Sequence, residues 1–350
     1  MFYVILLFHF LLSQLKKLFN IFILDTISFY PLQFEPMFQY RLWGGQRLTE
    51  VLSYPLPGNG PTGEAWLLSD RADHKSKVIN GNFKGWTLGQ LMDKFPDQLM
   101  GKLSGQFSRF PLLLKFLDAQ KMLSVQVHPS DTYKSLLPSG ETGKTEAWLV
   151  LKAGAESRIF AGLNLGTTAE NLKESITKGQ VEEHLSSFTP SPGDAVFLPA
   201  GTVHSLGGNI VVFEVQQNSD VTFRLFDWNH VDVKTGLPRP LHVDQAIECI
   251  DYEQGIASPV IPKKITAERE QLLNCEYFVL WRINGQLPFT VGAVNEPRIL
   301  VCLEGNGRLE NGGIGYTVGK GNVFLLPAVV GVCTFFPEGL VTVLEIAIPS

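Results

Sequence analysis

The chain has 350 residues, 45% of them hydrophobic, so it can bury a substantial core, which excludes a disordered or fibrous protein. Its formal net charge of -5 provides no basic surface, so we expect no binding to nucleic acid or to an acidic membrane. The four cysteines occur singly, without the spacing of a metal site or a disulfide framework. We expect them to be buried thiols in a reducing compartment, the cytoplasm.

Two short apolar runs, 2–12 and 18–24, fill much of the N-terminal region. Each is shorter than the ~20 apolar residues that cross a bilayer, so no stable membrane span is expected. The leading charges and the cleavage site of a secretory signal are missing. A membrane-surface segment, a signal remnant and sequence read through from upstream of a later natural start all fit. We favour the last and treat 1–29 as an N-terminal extension.

From Tyr30 onwards, short β-rich runs such as 195–198 and 210–215 alternate with Gly, Pro and Asn. This texture predicts an all-β sandwich or barrel. Helical periodicity is confined to two places, one from Thr87 to Phe95 and one from Thr168 through Ile176 towards Leu185. We expect these to be small helical insertions on a β core.

Residues 193–200, Gly-Asp-Ala-Val-Phe-Leu-Pro-Ala, are echoed by residues 321–328, Gly-Asn-Val-Phe-Leu-Leu-Pro-Ala. Each copy places a turn glycine six residues before a proline that ends a strand. Five residues beyond that proline stands His204 in the first copy and Val332 in the second. The echo predicts two similar barrels, of which only the first carries chemistry, although such turns also recur by chance.

The polar, proline-containing stretch 258–264 is the expected boundary between the two barrels. We therefore predict a catalytic domain over 30–257 and a degenerate domain over 258–350.

Gln126 and His128 stand two residues apart in Ser-Val-Gln-Val-His-Pro, so on a strand both side chains point to one face. Glu146 and His204 follow further along the chain. Two imidazoles, a carboxylate and an amide carbonyl suit a divalent ion, zinc first among them. Each residue alone is more often an ordinary half-buried polar group, but four in one ordered pattern favour a metal site.

Six separated motifs stand in one order along the chain: Leu-Trp-Gly-Gly at 42–45, Gly-Glu-Ala-Trp at 63–66, Leu-Ser-Val-Gln-Val-His-Pro at 123–129, Gly-Lys-Thr-Glu-Ala-Trp at 143–148, Pro-Ala-Gly-Thr-Val-His at 199–204 and Arg-Leu-Phe-Asp-Trp at 224–228. Together they resemble the type I phosphomannose isomerases, in particular the short bacterial class. The resemblance extends from Tyr30 to the C-terminus.

The resemblance implies a mainly β fold of two cupin domains, each a double-stranded β-helix or jelly roll, with the catalytic site in the first. It implies one zinc ion per chain, held by Gln126, His128, Glu146 and His204. The implied reaction interconverts mannose 6-phosphate and fructose 6-phosphate, an aldose–ketose isomerisation through an enediol. The implied partner is therefore a small hexose phosphate.

Arg224 is placed in the catalytic pocket by the same resemblance, and its fork of donors suits an enediolate or a phosphate. Alternatively, it pairs with Asp220 or Asp227 to stiffen a strand end. Lys144 stands two residues before Glu146, so on an extended segment it points to the same side. It could bind substrate oxygens or transfer a proton.

The catalytic base is left open between Lys144, Glu64, a metal-bound water and a non-ligand histidine such as His242. Glu64 is also a candidate for substrate binding. Ser124 shares the strand face of Gln126, and the resemblance makes it a contact for the substrate phosphate. The alternative for Ser124 is a hydroxyl bonded to a neighbouring carbonyl.

Two rival functions fit the same β framework. One is a metal-dependent bicupin dioxygenase or decarboxylase, and the other is a non-catalytic sugar-binding module. The sequence does not fix the oligomeric state or the role of the second barrel.

Overall fold

Antiparallel β-strands are the main regular structure of the computed structural model, which describes residues 28–350. Residues from Pro31 to Ser350 form one unit. The predicted extension 1–29 lies almost wholly outside the described residues. Within the described part of the chain, no helix is both long and apolar enough to cross a membrane.

The strands up to residue 226 are β1 Leu32–Phe34, β2 Met37–Gly45, β3 Thr62–Leu68, β4 Asp70–Arg71, β5 His74–Lys75, β6 Leu112–Ala119, β7 Val125–Val127, β8 Glu146–Ala153, β9 Arg158–Leu163, β10 Leu185–Phe188, β11 Ala195–Leu198, β12 His204–Gly207, β13 Ile210–Gln217 and β14 Phe223–Phe226. The strands after residue 262 are β15 Lys263–Lys264, β16 Arg269–Asn274, β17 Val279–Gly285, β18 Phe289–Val291, β19 Arg298–Glu304, β20 Asn306–Asn311, β21 Ile314–Gly319, β22 Val323–Leu326, β23 Cys333–Pro337 and β24 Val341–Ala347.

The α-helices are α1 Leu88–Lys94, α2 Pro96–Met100, α3 Ala169–Lys178 and α4 Val243–Cys249. Short 3-10 helices cover Arg47–Glu50, Gly101–Leu103 and Val181–His184.

The two predicted helix starts are confirmed by reciprocal caps. Thr87 accepts a hydrogen bond from the backbone N–H of Gln90, and Thr168 does the same for Asn171. The second helix does not continue towards Leu185, because Gly179 adopts a left-handed conformation with φ 71° and ends α3 at Lys178.

Helix α4 was not predicted, and the restriction of helices to two places was therefore wrong. Its first turn has no side-chain cap, and only Ala246 and Cys249 are buried. A helix of this length with so few apolar positions leaves a weak periodic signal.

Two sheets form what we call the N-terminal sandwich, residues 37–226. The six-stranded sheet has the order β11-β8-β13-β6-β2-β3, and the five-stranded sheet has the order β10-β9-β12-β7-β14. Trp148 and Val196 from the first sheet pack with Ile159 and Leu206 from the second in one core. Alternating inward-facing residues of both sheets thus fill the sandwich.

Two further sheets form the C-terminal sandwich, residues 263–347 together with β1. The seven-stranded sheet has the order β1-β22-β19-β24-β17-β16-β15, and the four-stranded sheet has the order β18-β23-β20-β21. Leu300 and Phe324 from the first pack with Leu309 and Phe335 from the second. Two sandwiches with small helical additions confirm the expected fold class, whereas the exact boundary at 257/258 stays a prediction.

The strand β1 lies apart from the strands that follow it in the chain. Leu32 and Phe34 pair with Leu325 and Val323 of β22 and are fully buried. The first strand after Pro31 therefore belongs to the C-terminal sandwich.

Candidate metal centre and substrate cleft

His128, Glu146 and His204 converge at one end of the N-terminal sandwich. His128 directly follows β7, while Glu146 and His204 are the first residues of β8 and β12. Their ligating atoms all lie within 4.8 Å of one another. The Nε2 atom of His204 is 3.3 Å from Oε1 of Glu146, and Nε2 of His128 is 3.6 Å from Oε2. The two sheets thus bring together three groups that are far apart in the sequence.

Gln126 is the central residue of β7 and completes this cluster. It is in register with His204 on one neighbouring strand and with Arg224 on the other. Its Nε2 atom lies 3.3 Å from Nε2 of His204. A rotation of the amide by a half-turn would present its oxygen to the same point. All four predicted ligands are therefore in one place.

Both histidines are oriented by backbone carbonyls. Nδ1 of His128 lies 2.9 Å from the carbonyl oxygen of Val221, and Nδ1 of His204 lies 2.8 Å from that of Thr202. If each Nδ1–H donates there, each Nε2 keeps a free lone pair. Burial lowers the pKa of His204 to about 4 and that of His128 well below its usual value. Both rings are then neutral near pH 7, as a metal ligand must be.

Glu146 is fully buried, and burial raises the pKa of its carboxyl group to about 7. Within the described residues, its buried Oε1 atom has no hydrogen-bond partner. The ammonium group of Lys144 contacts its other oxygen and lies 3.0 Å from Nε2 of His128. A buried carboxylate oxygen that faces two imidazole nitrogens fits a cation. The donor set, with the amide of Gln126, fits a divalent ion of the zinc type.

A cleft of about 410 Å³ opens onto this cluster. Gln126 and Lys144 connect the two, because both line the cleft and both contact the clustered ligands. Eight other charged side chains line the cleft, and they come from several strands and loops. They are Arg41, Glu64, Lys115, Glu214, Asp220, Arg224, Asp232 and Arg239. With Lys144, the lining has five basic and four acidic side chains, so the cleft is close to charge-balanced within an acidic protein.

Glu64 lies on β3 and accepts hydrogen bonds from Arg41 at 2.8 Å and from the indole N–H of Trp66 at 2.7 Å. Burial alone would raise the pKa of its carboxyl group, but the charges of Lys115 and Arg41 lower it to about 2. Glu64 is therefore a fixed anion that orients Arg41 in the cleft.

Lys115 lies on β6 opposite Glu214 of β13, and their charged groups are 3.1 Å apart. Glu214 also accepts a hydrogen bond from Trp148 at 2.8 Å. Both members of the pair are buried. Opposing burial, the nearby carboxylates raise the pKa of Lys115, so its ammonium group stays charged in the cleft wall.

Arg224 does not form either of the ion pairs considered as an alternative role. Asp227 is bound by Arg239 at 2.9 Å, and Arg224 has no salt bridge within the described part of the chain. Its Nη1 donates to the carbonyl of Pro240 at 3.1 Å, whereas its buried Nε has no partner among those residues. The guanidinium thus retains a buried donor without a partner, and Arg224 is one of the residues that line the cleft.

Ser124 lines the cleft, and its hydroxyl group lies 3.4 Å from Oε1 of Gln126. His242 is not among the residues that line the cleft, and its Nδ1 accepts from the backbone N–H of Arg224 at 3.3 Å. The structure therefore brings Ser124, Glu64, Lys144 and Arg224 to the site, and it places His242 behind the strand that carries Arg224.

Three charged residues of the cleft were not predicted from the sequence: Arg41, Lys115 and Glu214. Lys115 and Glu214 each interrupt an apolar strand, in Leu-Leu-Leu-Lys-Phe and Val-Val-Phe-Glu-Val. A single charge within a buried strand is costly without a partner, and this was a readable signal. Arg41 directly precedes the Leu-Trp-Gly-Gly motif, and nothing in its local sequence marked it.

Comparison with known proteins places the chain in a family. Residues 32–150 match the family described as "Phosphomannose isomerase type I, catalytic domain". Mannose-6-phosphate isomerase ManA of Bacillus subtilis is 38% identical over 312 residues, which cover 86% of this chain and 94% of the relative. The probable mannose-6-phosphate isomerase GmuF of Bacillus subtilis is 35% identical over 316 residues, 87% of this chain and 98% of the relative.

The solved structure of the mannose 6-phosphate isomerase from Bacillus subtilis has the same fold. The TM-score is 0.83 at 30% identity, and the match covers 91% of this chain and 99% of that one. The expected cupin architecture is thereby confirmed. With the relatives' near-complete coverage and the clustered ligands, the chain belongs to the type I phosphomannose isomerase family.

Proposed function

We propose that this chain is a mannose-6-phosphate isomerase, which interconverts mannose 6-phosphate and fructose 6-phosphate. The observation that carries the proposal is the convergence of His128, Glu146 and His204 beside a cleft that five basic side chains help to line. The names of relatives that match most of the chain support the same activity. Its four free cysteines support a cytoplasmic location.

We assign one zinc ion to His128, Glu146, His204 and Gln126. When bound, it would supply a Lewis acid that stabilises negative charge as it develops on the substrate oxygens. The unpartnered oxygen of Glu146 supports this assignment, as does the orientation of both histidines, whose Nε2 atoms lie within 3.6 Å of the Glu146 carboxylate. Neutral imidazoles and one carboxylate leave the site with net positive charge.

Isomerisation requires removal of a proton from the carbon next to the sugar carbonyl, and return of a proton to the neighbouring carbon. Lys144 is our candidate for holding or moving that proton, because its ammonium group lies at the junction of the cleft and the ligands. Glu64 is a poorer base, since its pKa near 2 makes it weakly basic. We assign Glu64 to substrate binding, with its charge fixing Arg41 beside the sugar.

The phosphate group would be bound by the cations of the cleft. Arg224 offers a guanidinium whose Nε lacks a partner among the described residues, and this geometry suits a phosphate or an enediolate oxygen. Ser124 adds a hydroxyl group on the same side of β7 as Gln126. An acidic protein can bind an anionic sugar because these charges are local.

A coupled assay tests this function and separates it from its rivals. Purified protein should contain about one zinc ion per chain and convert mannose 6-phosphate; a chelator should abolish turnover, and added zinc should restore it. Full activity in metal-stripped protein would contradict the assigned role of the ion. Bound iron with oxygen uptake and no hexose-phosphate turnover would favour a dioxygenase, and metal-free protein that only binds sugar would favour a binding module.

A further inference from the structure

The segment 129–145 connects His128 to Glu146 and carries Lys144 near its end. Its two ends lie side by side, because the backbone N–H of Lys144 donates to the carbonyl of Pro129 at 3.0 Å. Gly143 packs so closely that a Cβ there would lie 2.5 Å from the backbone nitrogen of Asp131. The segment is thus closed at its base, directly beside two of the clustered ligands.

Asp131 joins this base to the rest of the molecule. Its Oδ1 accepts from the backbone N–H of Gly143 at 2.8 Å. Its Oδ2 accepts from the side-chain amide of Gln217 at 3.0 Å and from the hydroxyl of Tyr277 at 2.9 Å. One carboxylate therefore binds the segment, a strand of the N-terminal sandwich and a residue of the C-terminal part of the chain.

Gln217 fixes Thr145, the residue that follows Lys144. Its side-chain oxygen accepts from the backbone N–H of Thr145 at 2.8 Å, and its own backbone N–H donates to the carbonyl of Thr145 at 3.1 Å. Lys144 is therefore flanked by Gly143, fixed by Asp131, and Thr145, fixed by Gln217. These contacts set the point from which the Lys144 side chain extends to the ligand cluster.

Tyr277 lies between β16 and β17, and its contact with Asp131 spans 146 positions in the sequence. Burial and the adjacent Asp131 raise the pKa of the Tyr277 hydroxyl, so it stays protonated and donates to the carboxylate. Tyr277 can thus influence Lys144 through Asp131, without contacting the cleft itself.

We infer that Tyr277 and Asp131 are positioning residues. Through them, the C-terminal sandwich holds the Lys144 side chain beside His128 and Glu146. The inference rests on the proposed function, because it assigns Lys144 to the chemical step. It gives the second sandwich, whose described residues contain no cluster like that of His128, Glu146 and His204, a role in the reaction assigned to the first. Loss of the Tyr277 hydroxyl should leave the zinc site and the substrate cleft intact while Lys144 is held less firmly.

The test compares Tyr277→Phe with Tyr252→Phe as a matched control. The Tyr252 hydroxyl is buried without a hydrogen-bond partner among the described residues, so its loss should change little. For Y277F we expect kcat to fall about fivefold, the value of one net hydrogen bond, with KM and bound zinc within about twofold of wild type. Amide hydrogen exchange at 143–145 should also be faster in Y277F and unchanged in Y252F.

Asp131→Asn supplies the second variant, since it keeps an acceptor for Gly143 but cannot accept from both Gln217 and Tyr277 at Oδ2. The double variant D131N/Y277F should have the same kcat as D131N alone, because Asp131 and Tyr277 act as one pair.

Y277F with the kcat and exchange of Y252F would overturn the inference. A loss of kcat that only follows a loss of bound zinc, with unchanged exchange at 143–145, would overturn it too. If the wild-type protein does not isomerise mannose 6-phosphate, the proposed function fails, and the exchange experiment on metal-free protein still decides whether Tyr277 holds the segment.

Discussion

Both sandwiches contain four strands paired in the same order. At one equivalent position, the first sandwich has an acidic side chain and the second has a basic one. The order β11-β8-β13-β6 in the first corresponds to β22-β19-β24-β17 in the second. Glu146, the first residue of β8, pairs with Leu198 and Gln216. Arg298, the first residue of β19, pairs with Leu326 and Ala347 in the equivalent way. An arginine therefore occupies the position of Glu146, the acid that we propose as a metal ligand.

A second acid is kept in both copies. Glu214 is the fifth residue of β13 and Glu345 is the fifth residue of β24, and both are buried. Glu214 faces Lys115, whereas Glu345 lies 2.7 Å from Arg269 and 3.8 Å from Arg298. In the C-terminal sandwich, two guanidinium groups thus lie beside the acid that corresponds to Glu214. The two sheets keep the same register although one places Glu146 and the other Arg298 at the equivalent position.

The largest expected effect separates the two equivalent positions His204 and Val332. His204→Ala should lower zinc affinity and turnover by at least ~100-fold, because loss of a ligand costs more than loss of an outer-shell partner. Val332→Ala is the matched control and should retain both, since Val332 is 51% exposed and lies outside the cleft. Bound zinc and initial rates measure the outcome. Wild-type zinc content in H204A would remove His204 from the ligand set.

Both buried acids should contribute to stability, but only Glu214 should contribute to activity. Glu214→Gln should lower the free energy of unfolding by about 3–5 kcal/mol, because it leaves the buried Lys115 without its nearest counter-charge. Glu345→Gln should lower it by less, since Arg298 keeps its ion pair with Glu296 and Arg269 is partly exposed. Only E214Q should also lower kcat of the folded enzyme, since Glu214 orients Lys115 in the cleft. Urea unfolding and kcat at a temperature where both variants are folded provide the measurements. An equal loss of kcat in E345Q would break the comparison.

The smallest effect concerns acid stability, and it depends on Glu64. The pKa of this carboxyl group is about 2 in the folded protein, below its ordinary value of 4.5. Its ionised form thus contributes stability that is complete above pH 4.5 and disappears as the pH falls to 2, about 3 kcal/mol in all. Glu64→Gln should lack this contribution.

The free energies of unfolding of wild type and E64Q should therefore differ most above pH 4.5 and converge as the pH is lowered towards 2. A difference that stays constant from pH 6 to pH 3 would show that the charges of Arg41 and Lys115 do not lower the pKa of Glu64. Chemical denaturation at several pH values provides the measurement.

Local sequence was sufficient for features that depend on neighbouring residues. The spacing of Gln126 and His128 followed from the period of a strand, and Thr87 and Thr168 identified helix starts. Ligands further apart, Glu146 and His204, were identified by order and resemblance.

Features that depend on sheet topology were not readable in the same way. The partners Lys115 and Glu214 are adjacent only because β6 pairs with β13, and the Tyr277–Asp131 bond depends on how two sandwiches meet. The position of Arg298 opposite Leu326 required the register of both sheets. Such pairings are set by long-range packing, which no short motif records.

The strand β1 has a consequence for how the chain is divided. Because Leu32–Phe34 lines the edge of β22, a fragment that starts at residue 258 would present bare backbone donors and acceptors along that edge. Such a fragment would be prone to aggregate through this exposed strand edge. The complementary fragment would carry β1 as an apolar strand without its partner β22. The strand β1 therefore completes a sheet whose other strands all follow residue 262, so a fragment without β1 would lack the partner of β22.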